Sequence, residues 1–270
     1  GYNPVKMLWN ALATVLCLLV STSKGYLTKK PAFLKTCQIT SMPEDEFIKC
    51  STEDIQRLFQ HLYTGIEGLE DVVLDPLKIN RIKVLQGAGP VSLNASLSKV
   101  TVTGFGHTNV SESKVNPKDF SWDTSFFLPK VRIEGIYSMQ GRILIIPLNG
   151  RGKCWLEPVN MNIYMHTKTR LIERDGFVFY NVTGTRVEYD ISGLKLRFDN
   201  LFDGVKALEE STNAYLNENW RPVNEGLKPV IAKTVEDILL RMMRKIFDNI
   251  PANFFISDIP KPSELYGQRN

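Results

Sequence analysis

This chain of 270 residues carries few of the groups that do chemistry, with four cysteines and three histidines. One of the cysteines, Cys17, lies inside an apolar run. The other three and the scattered His61, His107 and His166 do not have the spacing of a zinc site. No G-x-S-x-G elbow occurs, which removes the commonest lipase arrangement. The loose S-x-x-K match at Ser111–Lys114 overlaps a glycosylation sequon in a polar stretch and reads as solvated. The glycine pairs Gly87/Gly89, Gly104/Gly106 and Gly150/Gly152 stop short of the third glycine of a dinucleotide fingerprint. They read as hairpin and bulge glycines, and no cofactor is expected. Charge of one sign is also lacking: 33 Lys and Arg face 29 Asp and Glu, and the surplus is scattered, so nucleic acid is not an expected partner. No linker rich in Pro, Gly or Ser and no repeat divides the chain.

The one long apolar run, Leu8 to Val20, is too short to span a bilayer comfortably. Lys6 precedes it and the small polar residues STSKG follow, the layout of a secretory signal peptide cut near Ser23 or Gly25. The expected division is a signal over 1–25, a single domain over 26–262 and a polar tail over 263–270. Met7 stands just before the run, so 1–6 read as upstream sequence or a non-native start. Sequons at Asn94, Asn109 and Asn181 fit secretion to the extracellular space. In an oxidising exterior Cys37 and Cys50 are expected to bridge. Cys154 is then an odd thiol, either buried or free for a second chain, so a monomer is expected with a Cys154-linked dimer as the alternative.

Thr52 reads as an N-cap, with Ile55, Leu58, Phe59 and Leu62 at helical spacing behind it, predicting a helix to about Gly65. The middle of the chain then changes period. Val91, Leu93, Ala95 and Leu97 alternate with polar residues, which puts Asn94 on a wet face. The same beat returns at Val131–Gln140, Met161–Met165, Val187–Ile191 and Leu194–Phe198. Turn signals at Gly141, Asn149-Gly150, Asp175-Gly176, Gly184 and Gly193 imply an antiparallel meander of about eight strands. RILIIPLNG (142–150) and FVFYNV (177–182) are apolar on both parities, as strands covered on both faces would be. A parity slip between Ile79 and Ile82 suggests a β-bulge.

After Asp199 the period is helical. One stripe holds Leu201, Val205, Leu208, Leu216 and Trp220. A second runs from Val223 to Phe247 on a helix from Pro222 to Asn249, about 42 Å long and loosened near Pro229. Curling the sheet around that helix buries both apolar faces. The predicted fold is α+β, a strongly curved antiparallel β-sheet wrapped around a long C-terminal α-helix.

The Cys37/Cys50 pair, the stretch IEGIYSMQGRILIIPLNGRG (133–152) and the stretch NWRPVNEGLKPVIAKTVEDILLRMMRKIFDNIP (219–251) resemble the insect takeout and juvenile-hormone-binding protein family, from about Phe33 to Pro260. The resemblance implies a carrier of a small hydrophobic ligand, a terpenoid such as juvenile hormone, a fatty acid or a similar lipid, with links to circadian output, feeding or chemosensation. Juvenile-hormone carriers of haemolymph typically have a second bridge from mid-chain to a later cysteine. Cys154 has no later partner, which favours the takeout branch.

With a ligand cavity implied, the candidate lining residues are Leu93, Leu97, Ile133, Tyr137, Met139, Met161, Ile163, Met165 and Tyr189 on strands. Val230, Ile238 and Met242 on the helix join them. The methionines can repack around different guests, and the hydroxyls of Tyr137 and Tyr189 are candidate donors to a ligand oxygen. No catalytic residue and no metal site are expected, and a lipid esterase is the rival reading. Lys233, Arg241, Arg244 and Lys245, taken as the outer face of the helix, supply another: an interaction protein at a receptor or membrane surface.

Overall fold

The computed structural model describes residues 25–69, 72–87 and 91–267. The amino-terminal apolar run with Cys17, the glycine-pair residues Ala88 and Gly89, and residues 268–270 lie outside them. No described helix is long and apolar enough to cross a membrane.

Helix α1, Glu44–Thr64, begins well before the expected cap at Thr52. Three acidic residues, Glu44, Asp45 and Glu46, occupy the first turn, where the helix dipole favours negative charge. Thr52 lies inside the helix, its hydroxyl donating to the Ile48 carbonyl at 2.7 Å and accepting the Ser113 N–H at 2.9 Å. The polar residue that reads as a cap therefore docks α1 on the sheet. Gly65, at φ 93°, ends the helix where expected.

Eight strands form one antiparallel sheet: β1 Leu77–Gln86, β2 Val91–Thr103, β3 Asn109–Val115, β4 Trp122–Lys130, β5 Arg132–Ile143, β6 Ile146–Arg174, β7 Phe177–Asp190 and β8 Gly193–Phe198. The order is β1-β2-β5-β6-β4-β3, with β7 and β8 also paired to β6. At 29 residues β6 is the spine. Along one edge it pairs with β5 and then β4, along the other with β8 and then β7. A sheet this long accumulates enough twist to coil.

Three turn expectations are corrected: Gly141 lies inside β5, Gly184 inside β7, and the third falls on the spine itself. Asn149-Gly150 lies inside β6, and the β5–β6 hairpin turns instead at Leu144-Ile145, with Leu144 at φ 55° and Ile145 76% exposed. RILIIPLNG is thus a hairpin rather than a strand covered on both faces. The glycines of the NGRG motif allow close crossing. A Cβ on Gly152 would sit 2.1 Å from the Asp199 carbonyl oxygen, and one on Gly150 would sit 3.0 Å from that of Asn200. Asp175-Gly176 does form the β6–β7 turn, both residues having positive φ. FVFYNV is covered on both faces as expected: Tyr26 packs on Phe179 at 5.1 Å, and Tyr180 meets Trp122 at 5.4 Å. The parity slip at Ile79–Ile82 is present, with Asn80 and Arg81 both exposed, but β1 keeps register with β2. The register shift falls between β2 and β5 at Ser98–Thr101, where Lys99 has φ 50°.

The carboxy-terminal quarter closes the open side. Helix α2 spans Lys206–Glu218 and α3 spans Trp220–Asn249, with Pro229 inside. The expected apolar stripe on α2 is corrected: Val205 and Leu208 are exposed, and the buried face carries Glu209, Thr212 and Asn213 beside Leu216. Asn213 and Asn217, one turn apart, act as a strand would. Their Oδ1 atoms accept the N–H groups of Phe198 and Leu196, and their Nδ2 groups donate to the same residues' carbonyls. The free edge of β8 is thereby satisfied. On β7, Glu236 of α3 accepts the Val187 N–H at 3.0 Å and Arg244 donates to the Val182 carbonyl at 2.9 Å.

These contacts dissolve the basic face expected on α3. Arg244 is tied to the sheet, Lys233 pairs with Asp237 and Glu236, and Arg241 and Lys245 line a separate cleft against β1. The expected polar tail also folds in part: α4, Pro262–Tyr266, docks on β6 through the Tyr266 hydroxyl, which accepts the Leu171 N–H.

The Cys37–Cys50 bridge is present and joins α1 to a segment that pairs with Phe255–Ser257 beyond α3. Reducing this bridge in the native protein is expected to lower stability by about 2 kcal/mol, since it closes a short loop. Urea titrations with and without reductant, compared at the same pH, give the value, and coincident curves would refute it.

Candidate functional site

The interior divides into two parts. At one end α1, β4, β6 and the last turns of α3 meet around Trp122, Tyr180, Phe247 and Phe255, whose neighbouring rings are 5.4–6.3 Å apart. This end is filled. At the other end β1, β2, β5, β6 and β8 curve away from α3 over residues 223–239 and leave an internal cavity of about 320 Å³. That is within the usual range for small-molecule sites.

Of the expected lining residues, Leu93, Leu97, Ile133, Tyr137, Met139, Met161, Ile163 and Ile238 are on the cavity wall. Four are not. Met165 is on the same inward parity as Met161 and Ile163 but reaches the filled end, beside Trp122 and Phe247. Val230 is only half-buried. At 3.6 residues per turn it points about 120° from the direction of Asn224, off the arc through Leu227, Ile231, Val235 and Ile238 that faces the cavity. Met242 is on that arc but past the cavity's end, in the open cleft of about 410 Å³ between β1 and α3. Tyr189 packs under α3, its hydroxyl donating to Asn224 Oδ1 at 3.0 Å and its ring 5.7 Å from Lys228 Nζ.

Neither tyrosine hydroxyl has a proton to spare. Tyr137 donates to the Asp199 carbonyl at 2.7 Å, as Tyr189 does to Asn224, and burial raises both phenol pKa values. The role expected of them as donors to a ligand is corrected accordingly.

Several wall residues lay outside the expected set. Leu77, Ile79, Ile82 and Val84 come from β1, and Leu194, Leu196 and Phe198 from β8. Their alternation was readable, but not that both strands border the cavity. Asn224 was also missed. A polar residue three before Leu227 and seven before Ile231, on an otherwise apolar stripe, was the available signal.

Cys154 is 4% exposed, and burial raises its thiol pKa to about 11. Of the two alternatives for Cys154, the structure holds the buried thiol. The three sequon asparagines, Asn94, Asn109 and Asn181, are all exposed.

Among the described residues no group of His, Cys, Asp and Glu could hold a metal ion. His166 Nδ1 is 2.7 Å from Asp123 Oδ1, which also accepts the Tyr164 hydroxyl, but no serine hydroxyl is hydrogen-bonded to a histidine among the described residues.

The circadian clock-controlled protein daywake of Drosophila yakuba is 25% identical over 263 residues, covering 93% of this chain and 96% of that protein. Its Drosophila melanogaster counterpart is 23% identical over 257 residues, covering 92% and 95%. The crystal structure of Takeout 1 from Epiphyas postvittana shares the fold, with a TM-score of 0.71 at 22% identity over 83% of this chain and 99% of that one. The profile of the haemolymph juvenile hormone binding proteins matches residues 14–257, so a sheet coiled around a long helix, with an apolar cavity between them, is here the frame of a member: the chain belongs to the haemolymph juvenile hormone binding protein family.

Proposed function

We propose that this chain is a secreted, glycosylated, non-enzymatic carrier that encloses one small hydrophobic molecule between its sheet and α3. The ligand class is a terpenoid such as juvenile hormone, a fatty acid or a similar lipid. The observation that carries the reading is the apolar cavity of about 320 Å³. Its wall is almost wholly hydrocarbon, so binding would come from apolar burial at roughly 25 cal/mol per Å². The non-enzymatic part rests on the cavity wall, which among the described residues carries no histidine, cysteine, serine or carboxylate. Docking at a receptor or membrane surface has less support, because the basic residues of α3 are divided among a sheet edge, an ion pair and a cleft.

The test is mass spectrometry of the natively secreted protein and of its organic extract, against an unrelated secreted protein from the same cells. A stoichiometric hydrophobic species is expected. The protein mass should show a cut near Ser23 or Gly25 and sugar on at least one of Asn94, Asn109 and Asn181. An empty extract together with no saturable uptake of hydrophobic probes would sink the carrier reading, and an uncut, sugar-free chain would sink secretion. The clock-controlled relatives motivate a role in daily rhythm. Protein abundance sampled through a light–dark cycle tests it, and a flat profile would count against it.

A further inference from the structure

We propose that Asn224 is the polar anchor of the cavity. It would select neutral ligands that carry a hydrogen-bond-accepting oxygen, and hold that oxygen at the end of the cavity nearest the start of α3. The inference rests on the carrier reading and adds to it the residue that sets ligand polarity and direction.

Among the described residues three side chains on the cavity wall have N–H or O–H groups: Tyr137, Asn224 and Thr234. Tyr137 donates its proton to the Asp199 carbonyl, and Thr234 donates back to the Val230 carbonyl at 2.8 Å. Asn224 is 5% exposed, and its Oδ1 accepts the Tyr189 hydroxyl at 3.0 Å. In this arrangement Oδ1 faces Tyr189 and Nδ2 faces away from it. No described residue accepts a hydrogen bond from Nδ2. Helix geometry agrees, since Asn224 is within about 20° of the directions of Ile231 and Val235, at the middle of the arc of α3 that faces the cavity.

An amide donor with no acceptor on the protein gains a hydrogen bond from a ligand oxygen and none from a hydrocarbon. A ketone, ester, aldehyde or epoxide oxygen suits a single neutral donor. An ionised carboxylate does not, because no cationic side chain among the described residues lines the wall to offset its desolvation. Ile238 follows Asn224 by fourteen residues, about 21 Å along the helix, so the apolar remainder of the ligand would extend toward the β1–α3 seam.

The experiment measures competition by methyl pentadecyl ketone, heptadecane and palmitate against a bound hydrophobic fluorophore. For the wild type at mildly alkaline pH we expect the ketone to bind roughly tenfold tighter than heptadecane, and palmitate to bind more weakly than the ketone. In Asn224→Leu the ketone preference should collapse toward unity while heptadecane binding is kept or improved. Tyr189→Phe, which frees the amide to turn, should reduce the preference without abolishing uptake. The double variant leaves no orphaned hydroxyl and stands in for Asn224→Leu if that protein folds poorly.

A ketone preference unchanged in these variants, or equal binding of ketone and hydrocarbon by the wild type, overturns the anchor and leaves the carrier intact. Failure of all three competitors, with no saturable fluorophore binding, overturns the carrier reading and the anchor with it.

Discussion

An Ala95→Trp variant is expected to lose about a hundredfold in affinity for a hydrophobic probe while keeping its far-UV circular dichroism. Ala95 is at mid-strand in β2, on the cavity wall, with Val84 and Met139 directly opposite on the neighbouring strands and on the wall as well. An indole there projects into empty space, so it takes the ligand's room without wedging apart a filled core. Displacing on the order of 100 Å² of ligand contact forfeits about 2.5 kcal/mol, nearly two decades of affinity. Ser138→Trp is the control. Ser138 is on β5 and opposite Ser96, but it is exposed on the outer face, so binding should not change. An Ala95→Trp protein that folds and binds as well as the wild type would place the ligand elsewhere.

The sheet was legible where one of its faces is wet. Leu93, Ala95 and Leu97 alternate with Ser92, Asn94 and Ser96 because water imposes the second parity, and the structure keeps that division through Ala95, with Ser96 and Leu97 both half-buried. The long helix was legible because its stripe runs for nearly its whole length, and the need to bury both faces then dictated the wrap. What periodicity cannot carry is position along an inward row. Met161, Ile163 and Met165 share one parity on β6, yet the first two meet a cavity and the third meets Trp122. That difference is set by which helix crosses above, a tertiary fact. Turn chemistry misled in a related way. Asn149-Gly150 carries the strongest local hairpin signal, but its glycine serves the close passage of Asp199–Leu201, while a leucine, Leu144, supplies the positive φ of the actual turn. The polar residue that matters most to the site, Asn224, was passed over because it interrupts an apolar pattern that was read for its hydrophobic members.

Stability is expected to fall by about 2–3 kcal/mol between about pH 5 and pH 8, with Asp54 as the cause. Asp54 is 1% exposed on the sheet-facing side of α1, beside the Cys37–Cys50 bridge. Burial pushes its carboxyl up to about 7, against the opposing pull of the Lys35 N–H bond and of the charges on Arg57, Lys30 and Lys35. Oδ1 accepts the Lys35 N–H at 2.6 Å, while Oδ2 has no partner among the described residues. Below the unfolded value of 3.8 both states hold the proton and Asp54's contribution to stability is complete. Between 3.8 and about 7 only the folded chain holds it, so the unfolded state binds fewer protons and stability declines as pH rises, levelling off above. Glu53, Asp119, Asp123, Glu157 and Asp258 are all held below their usual range, and their contributions are lost only at pH values under this window. Asp54→Asn keeps an acceptor for Lys35 and cannot ionise, so urea titrations of the variant should give nearly equal stabilities at the two pH values. If wild type and variant instead decline in parallel, Asp54 is already ionised at pH 5, and the Arg57 guanidinium, 4.0 Å away, outweighs burial in setting its charge.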